Sequence, residues 1–60
     1  MTKSEKFKIV AEVVKELAKL LEKKSYADND DFFKISKKII KKFGIDEETA
    51  ISIVFKVGNF

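Results

Sequence analysis

The 60 residues contain no cysteine, histidine, proline or tryptophan, and each of the 13 basic residues is a lysine. Each absence closes a route. Without cysteine no disulfide can form, and without cysteine or histidine the usual zinc ligands are missing together. The same two absences remove the commonest groups of nucleophilic and acid–base catalysis, and no serine has an activating base near it in sequence. Without arginine there is no planar fork to read guanine or grip phosphate in bidentate fashion; lysine offers only a point charge. With no proline and only two glycines, long helices joined by short turns are favoured. No metal, cofactor or catalytic motif is present, so a non-enzymatic protein without a cofactor is expected.

A chain of this length makes one domain, 1–60. Such a domain buries only about 60% of its unfolded surface and is marginally stable alone. Small domains compensate with disulfides, a metal or a partner chain, and here only association remains. A composition that is 45% hydrophobic and 38% charged is that of a folded chain. Lys3, Glu5, Lys6 and Lys8 interrupt any apolar run near the N-terminus, and no stretch approaches membrane-spanning length. A soluble, cytoplasmic protein without a secretory leader is expected.

What is present is helical periodicity. Thr2-Lys3-Ser4-Glu5 has the spacing of a capping box. Beyond it Phe7, Val10, Val14, Leu17 and Leu21 recur at steps of three and four, like a coiled-coil seam. Ala11 and Ala18 border the seam on one side and Ile9, Val13 and Leu20 on the other, an apolar arc of about 200°. Glu5/Lys8, Glu12/Lys15 and Glu16/Lys19 are spaced as pairs on the remaining solvent face. Asp28, Asn29 and Asp30 can cap a second helix, with Phe32, Ile35, Ile39 and Phe43 as its buried stripe, widened by Phe33 and Ile40. Gly44 supplies a left-handed stop, and Asp46 caps a third helix that ends at Gly58. The helices are expected at about 3–24, 29–43 and 46–58.

The third of these is unusual. Ala50 to Val57 is apolar at six of its eight positions, so it must be covered on more than one side. Ile51, Ile53, Phe55 and Val57 also alternate as in a strand, which would need a partner strand from another molecule. The acidic cap and first turn favour the helix.

Three features are candidates for chemistry. Asp28-Asn29-Asp30-Asp31 opens like a calcium loop, but the positions that need Gly and a bidentate Glu hold Phe33 and Ile39, so capping is the better account. Tyr26 is a lone loop phenol, read as cover for one end of the core. Lys34, Lys37, Lys38, Lys41 and Lys42 fill one face of the second helix with no acid among them, and repel one another unless an anionic surface answers. They are the candidate contacts to nucleic acid or an acidic protein; a solvated face is the plainer reading.

Ile39 to Ile53, with a Gly at the turn, an apolar residue after it and Thr49 opening the next helix, resembles a DNA-binding helix–turn–helix. The resemblance implies that the helix from Asp46 reads the major groove. Its first turn carries Asp46, Glu47 and Glu48, which phosphates repel. The stretch Phe43-Gly44-Ile45 through Ile53-Val54 is similar also to the first turn and second helix of ubiquitin-associated domains, which implies a further helix after it. The content common to both is a tight glycine turn between packed helices.

The expected fold is therefore all-α, a small three-helix bundle completed by homo-oligomerisation. Val10, Val14, Leu17, Leu21, Ile51 and Phe55 are the candidate interface, with Ala50–Val57 at the centre of the shared core. The expected function is a helical interaction module: an oligomeric adaptor, inhibitor or regulatory accessory that binds another protein. The alternative is a nucleic-acid-binding protein using the lysine face or the helix–turn–helix-like segment. Membrane-surface binding by the first helix is disfavoured by its interleaved glutamates.

Overall fold

Side-chain caps set where each helix begins. In the computed structural model, which describes residues 2–59, these are α1 (Lys3–Lys23), α2 (Asn29–Phe43) and α3 (Glu47–Gly58), with no strand among the described residues. The Thr2 hydroxyl accepts from the Glu5 N–H at 3.1 Å and donates to the Glu5 carboxylate, rather than leaving that carboxylate to its own N–H. The complete capping box lies instead at α2. There the Asp31 N–H donates to Asp28 at 2.9 Å, and the Asp28 N–H donates back to the Asp31 carboxylate at 3.1 Å. Asp46 receives both the N–H and the hydroxyl of Thr49. Gly44 stops α2 in the left-handed region, φ 66°, and its N–H returns to the Ile40 carbonyl at 2.9 Å. Helices one and three are each one residue shorter than their sequence pattern indicates, because Lys24 and Asp46 are extended caps. The segment Ala50–Val57 is helical, not a strand.

The core takes three apolar side chains from each helix: Ile9, Val13 and Leu17; Phe32, Ile35 and Ile39; Ala50, Ile53 and Val54. α2 runs antiparallel to both neighbours. Glu12 and Glu16 of α1 meet Lys42 and Lys38 in reverse order, and Phe32 and Phe33 near the start of α2 meet Gly58 and Phe55 near the end of α3. The bundle is up-down-up, and its 33 Å long axis matches the length of α1, about 32 Å at 1.5 Å per residue.

α1 is turned relative to the seam read from its sequence. The buried line is Ile9, Val13 and Leu17, whereas Phe7, Val14 and Leu21 are 72%, 49% and 50% exposed. A 200° arc holds more than one candidate face, and the chosen one lets Glu12 and Glu16 reach the lysines of α2. Those two glutamates are consequently not on the solvent face; each side chain is only 18% exposed. On α2, Phe32, Ile35 and Ile39 are buried as the pattern requires, Phe43 is half-buried, and Phe33 is exposed. Ser36 is buried beside them, its hydroxyl donating to the Phe32 carbonyl at 2.9 Å.

Gly58 serves for closeness rather than as a left-handed stop. A methyl group there would lie 2.7 Å from two carbons of the Phe32 ring, which is itself packed edge-on against Phe55. At an unconstrained helical site, replacing glycine by alanine stabilises by about 0.4–1 kcal/mol. Here overpacking reverses the sign: Gly58→Ala is expected to lower stability by about 1–2 kcal/mol. Combining it with Phe32→Leu should recover part of that loss. Thermal denaturation of the two single variants and the double variant measures the coupling.

Candidate functional site

Two kinds of surface are assembled by this packing, one charged and one apolar. The charged one lies along the α1–α2 edge. Of the five α2 lysines, Lys42 donates to Glu12 at 2.6 Å and Lys38 lies 3.7 Å from Glu16. Antiparallel packing therefore supplies counter-charges to a lysine face that has no acid of its own. The hydrogen bond from Lys42 is the main reason the Glu12 carboxyl is held below its ordinary value, with partial desolvation opposing it. Lys34, Lys37 and Lys41 form no ion pair with the described residues and stand exposed. Lys34 shares a groove between the helices with Lys19 and Lys23 of α1. The sequence pattern singled out α2 alone, and missed the α1 lysines because only the register between helices brings them alongside.

The corner between the two helices is tied by Lys24. Its ammonium donates to Asp31 at 2.7 Å, lies 3.6 Å from Asp28, and sits 5.7 Å from the centroid of the Tyr26 ring. Tyr26 itself is exposed rather than covering the core. Asp31 is nearly buried, and its carboxyl is held below the usual range first by the Lys24 hydrogen bond and then by the Asp28 N–H. The same contact raises the Lys24 pKa. The acidic run is thus spent on a cap and an ion pair, and no cluster of metal-binding side chains occurs among the described residues.

The groove between α1 and α3, about 570 Å³, is lined by Lys3, Lys6, Val10, Thr49, Ser52 and Lys56 among others. The Thr49 hydroxyl on Asp46 at 2.8 Å is helix capping; it keeps the Asp46 carboxyl below its ordinary value.

The apolar surface is in two parts. On α1, Phe7, Ala11, Val14, Ala18 and Leu21 are all exposed and follow one another at steps of four and three. On the other side of the bundle, exposed Phe33 and half-buried Ile40 and Ile51 line a groove between α2 and α3 together with Ser36, Lys37 and Glu47, and the half-buried Phe55 ring lies 5.7 Å from that of Phe33. Of the six side chains expected at an interface, Val14 and Leu21 are exposed, Val10, Ile51 and Phe55 are half-buried, and Leu17 is buried in its own core. The six are not brought together: Val14 and Leu21 belong to the α1 stripe, while Ile51 and Phe55 belong to the α2–α3 patch. α3 is covered by α1 and α2 on the face carrying Ala50, Ile53 and Val54. No helix among the described residues is long and apolar enough to cross a membrane. No protein-family model, curated protein or solved structure matches this chain.

The charge geometry sets a pH dependence. Asp31, Glu12 and Asp46 have folded pKa values below their ordinary ones. Each contributes stability that is fully present above the ordinary carboxylate value near about 4 and is lost as pH falls through the folded value. The melting temperature of the native chain should therefore fall as the solution is acidified below about pH 4. Asp31→Asn should melt below the native chain at neutral pH, and the gap should close in acid, where native Asp31 is itself protonated. Melting curves at neutral pH and near pH 2 would reveal a constant gap if the ion pair were irrelevant.

Proposed function

We propose that this chain is a small non-enzymatic interaction module that acts as a homodimer and engages another protein. One observation carries the reading: the stripe Phe7, Ala11, Val14, Ala18 and Leu21, apolar at five successive positions in steps of four and three and uncovered by the chain's own helices. Isolated exposed apolar residues are ordinary, but a continuous helical row of them is a helix-docking face. At 1.5 Å per residue the row extends about 21 Å, so the contact falls at the small end of specific interfaces, where weak, reversible association is the rule. The second patch, Phe33 with Ile40, Ile51 and Phe55, lies away from that stripe and is assigned to the other protein. Separate faces allow both contacts at once, as an adaptor, inhibitor or regulatory accessory requires.

Sedimentation equilibrium across the micromolar range tests this. The native chain is expected to shift to a dimer, and Val14→Glu to remain monomeric with unchanged helical circular dichroism, since Val14 is half exposed and lies outside the core. A native chain that stays monomeric throughout overturns the reading.

A second reading is supported by the lysines that form no ion pair with the described residues. Lys34 and Lys41 on α2, with Lys19 and Lys23 beside Lys34, form a basic edge suited to the phosphates of a nucleic acid, bound without base readout, and Lys37 extends it round α2 toward the groove with α3. This mode differs from the helix–turn–helix one, whose reading end here would be Asp46, Glu47 and Glu48. Duplex DNA should be retarded at low salt and released as salt rises, with retention lost in the Lys34→Glu, Lys37→Glu, Lys41→Glu triple variant. Absence of retention at low salt removes this reading.

A further inference from the structure

We infer that the second copy docks on the α1 stripe antiparallel, in a register that sets Val14 and Leu21 opposite alanines; the inference rests on the self-association proposed above. The stripe alternates in size: Phe7, Val14 and Leu21 seven residues apart, with Ala11 and Ala18 between them. All five lie within about 80° of helix circumference. Two such faces meeting parallel and in register would stack Val14 on Val14 and Ala18 on Ala18, so the bulky layers hold the helices apart and leave gaps at the alanines. Turning one copy end over end removes that conflict. Val14 then meets the partner's Ala18, and Leu21 meets the partner's Ala11, each contact occurring twice by symmetry. Axes can then approach toward about 8 Å, the short limit for packed helices.

Size alternation alone permits two antiparallel registers, and charge chooses between them. Ser4, Lys8, Lys15 and Glu22 border the stripe on its outer side. In an antiparallel pair this border faces its own counterpart. When Val14 meets Ala18, Lys8 comes alongside the partner's Glu22 at both ends, and only Lys15 meets its like. The other register, Val14 on Ala11 and Phe7 on Ala18, sets Lys8 against Lys15 twice and leaves Glu22 unanswered. Neither Lys8 nor Glu22 has an ion pair within the described residues of its own chain, so both are available to a second copy. The chosen register also places Phe7 by the partner's connection between α1 and α2, where an exposed Tyr26 offers an aromatic surface.

The natural absence of cysteine makes the orientation directly measurable. Val14→Cys and Ala18→Cys chains differ in mass, so oxidising an equimolar mixture yields three distinguishable disulfide products. The antiparallel register predicts that the mixed product dominates, and that Ala11→Cys with Leu21→Cys behaves likewise. Efficient Leu21→Cys self-coupling would instead show a parallel dimer and overturn the orientation while leaving the dimer standing. Coupling of Val14→Cys with Ala11→Cys in place of these pairs would show the other antiparallel register and overturn the one inferred. Failure of every pair, that one included, with a dimer still present by sedimentation, would place the interface elsewhere. A chain that is monomeric overturns both statements together. Charge exchange gives an independent readout. Glu22→Lys should weaken dimerisation on the order of tenfold, and adding Lys8→Glu should restore it. Within a parallel dimer these positions lie about 21 Å apart and no restoration would follow.

Discussion

The structure is governed by a mismatch between the apolar arc of α1 and the helices available to cover it. α1 is 21 residues long, whereas α2 has 15 and α3 has 12. At 1.5 Å per residue the shorter helices reach about 22 Å and 18 Å along a rod of about 32 Å. Each helix of a three-helix bundle meets its two neighbours over part of its circumference, and an arc of about 200° exceeds that part. Some apolar surface on α1 must therefore remain outside whichever way the helix is rotated. The question settled by the fold is which part.

Polar contacts at the edges decide it. Turning α1 so that Val14 and Leu21 pointed inward would carry Glu12 and Glu16 away from Lys42 and Lys38. It would leave all five lysines of that stretch of α2 without the counter-charges of α1. The ion pairs contribute little individually, being partly exposed. Their value is in choosing between faces that are about equally hydrophobic, where a small difference suffices. Phe32 performs the corresponding task on the other side of α2. With a ring carbon only 2.7 Å from where a side chain at position 58 would begin, it admits α3 only where glycine stands. α2 is thus the reference element, held to one neighbour by charge and to the other by shape.

This explains which features were legible in the sequence. Caps are local, and a short polar side chain two or three residues before an apolar period is enough to place them. Hence Thr2, Asp46 and the left-handed Gly44 could be read from their immediate neighbours, and the cap of α2 only as one of Asp28, Asn29 and Asp30; with them came the helix count and bounds to within a residue. The buried stripe of α2 was legible because lysine fills almost everything else on that helix. The rotation of α1 was not, since Phe7, Val10, Val14, Leu17 and Leu21 form as regular a period as the line that is buried. Partners across helices were not legible either. Glu12 with Lys42 is a contact over thirty residues, and the i,i+3 spacing of Glu12 with Lys15 offered a local pairing that the tertiary register replaced. The same holds for Lys19 and Lys23, whose part in the basic edge exists only once α1 and α2 lie side by side.

The mismatch also bears on how stability and association are linked. The exposed stripe on α1 is not a separate patch, for Val10 and Leu17 connect it directly to the core. A partner helix on that stripe would extend the same hydrophobic layer, so binding would favour only the folded form and add stability in proportion to the logarithm of concentration. For a chain with nine buried apolar side chains among its described residues and no covalent staple, that addition would be substantial relative to the small stability of a domain this size. The alanines at 11 and 18 then acquire a physical rationale. Larger residues there would enlarge the exposed apolar surface of the monomer, and polar ones would interrupt the layer. Alanine keeps the free surface modest while leaving room for a second helix to approach.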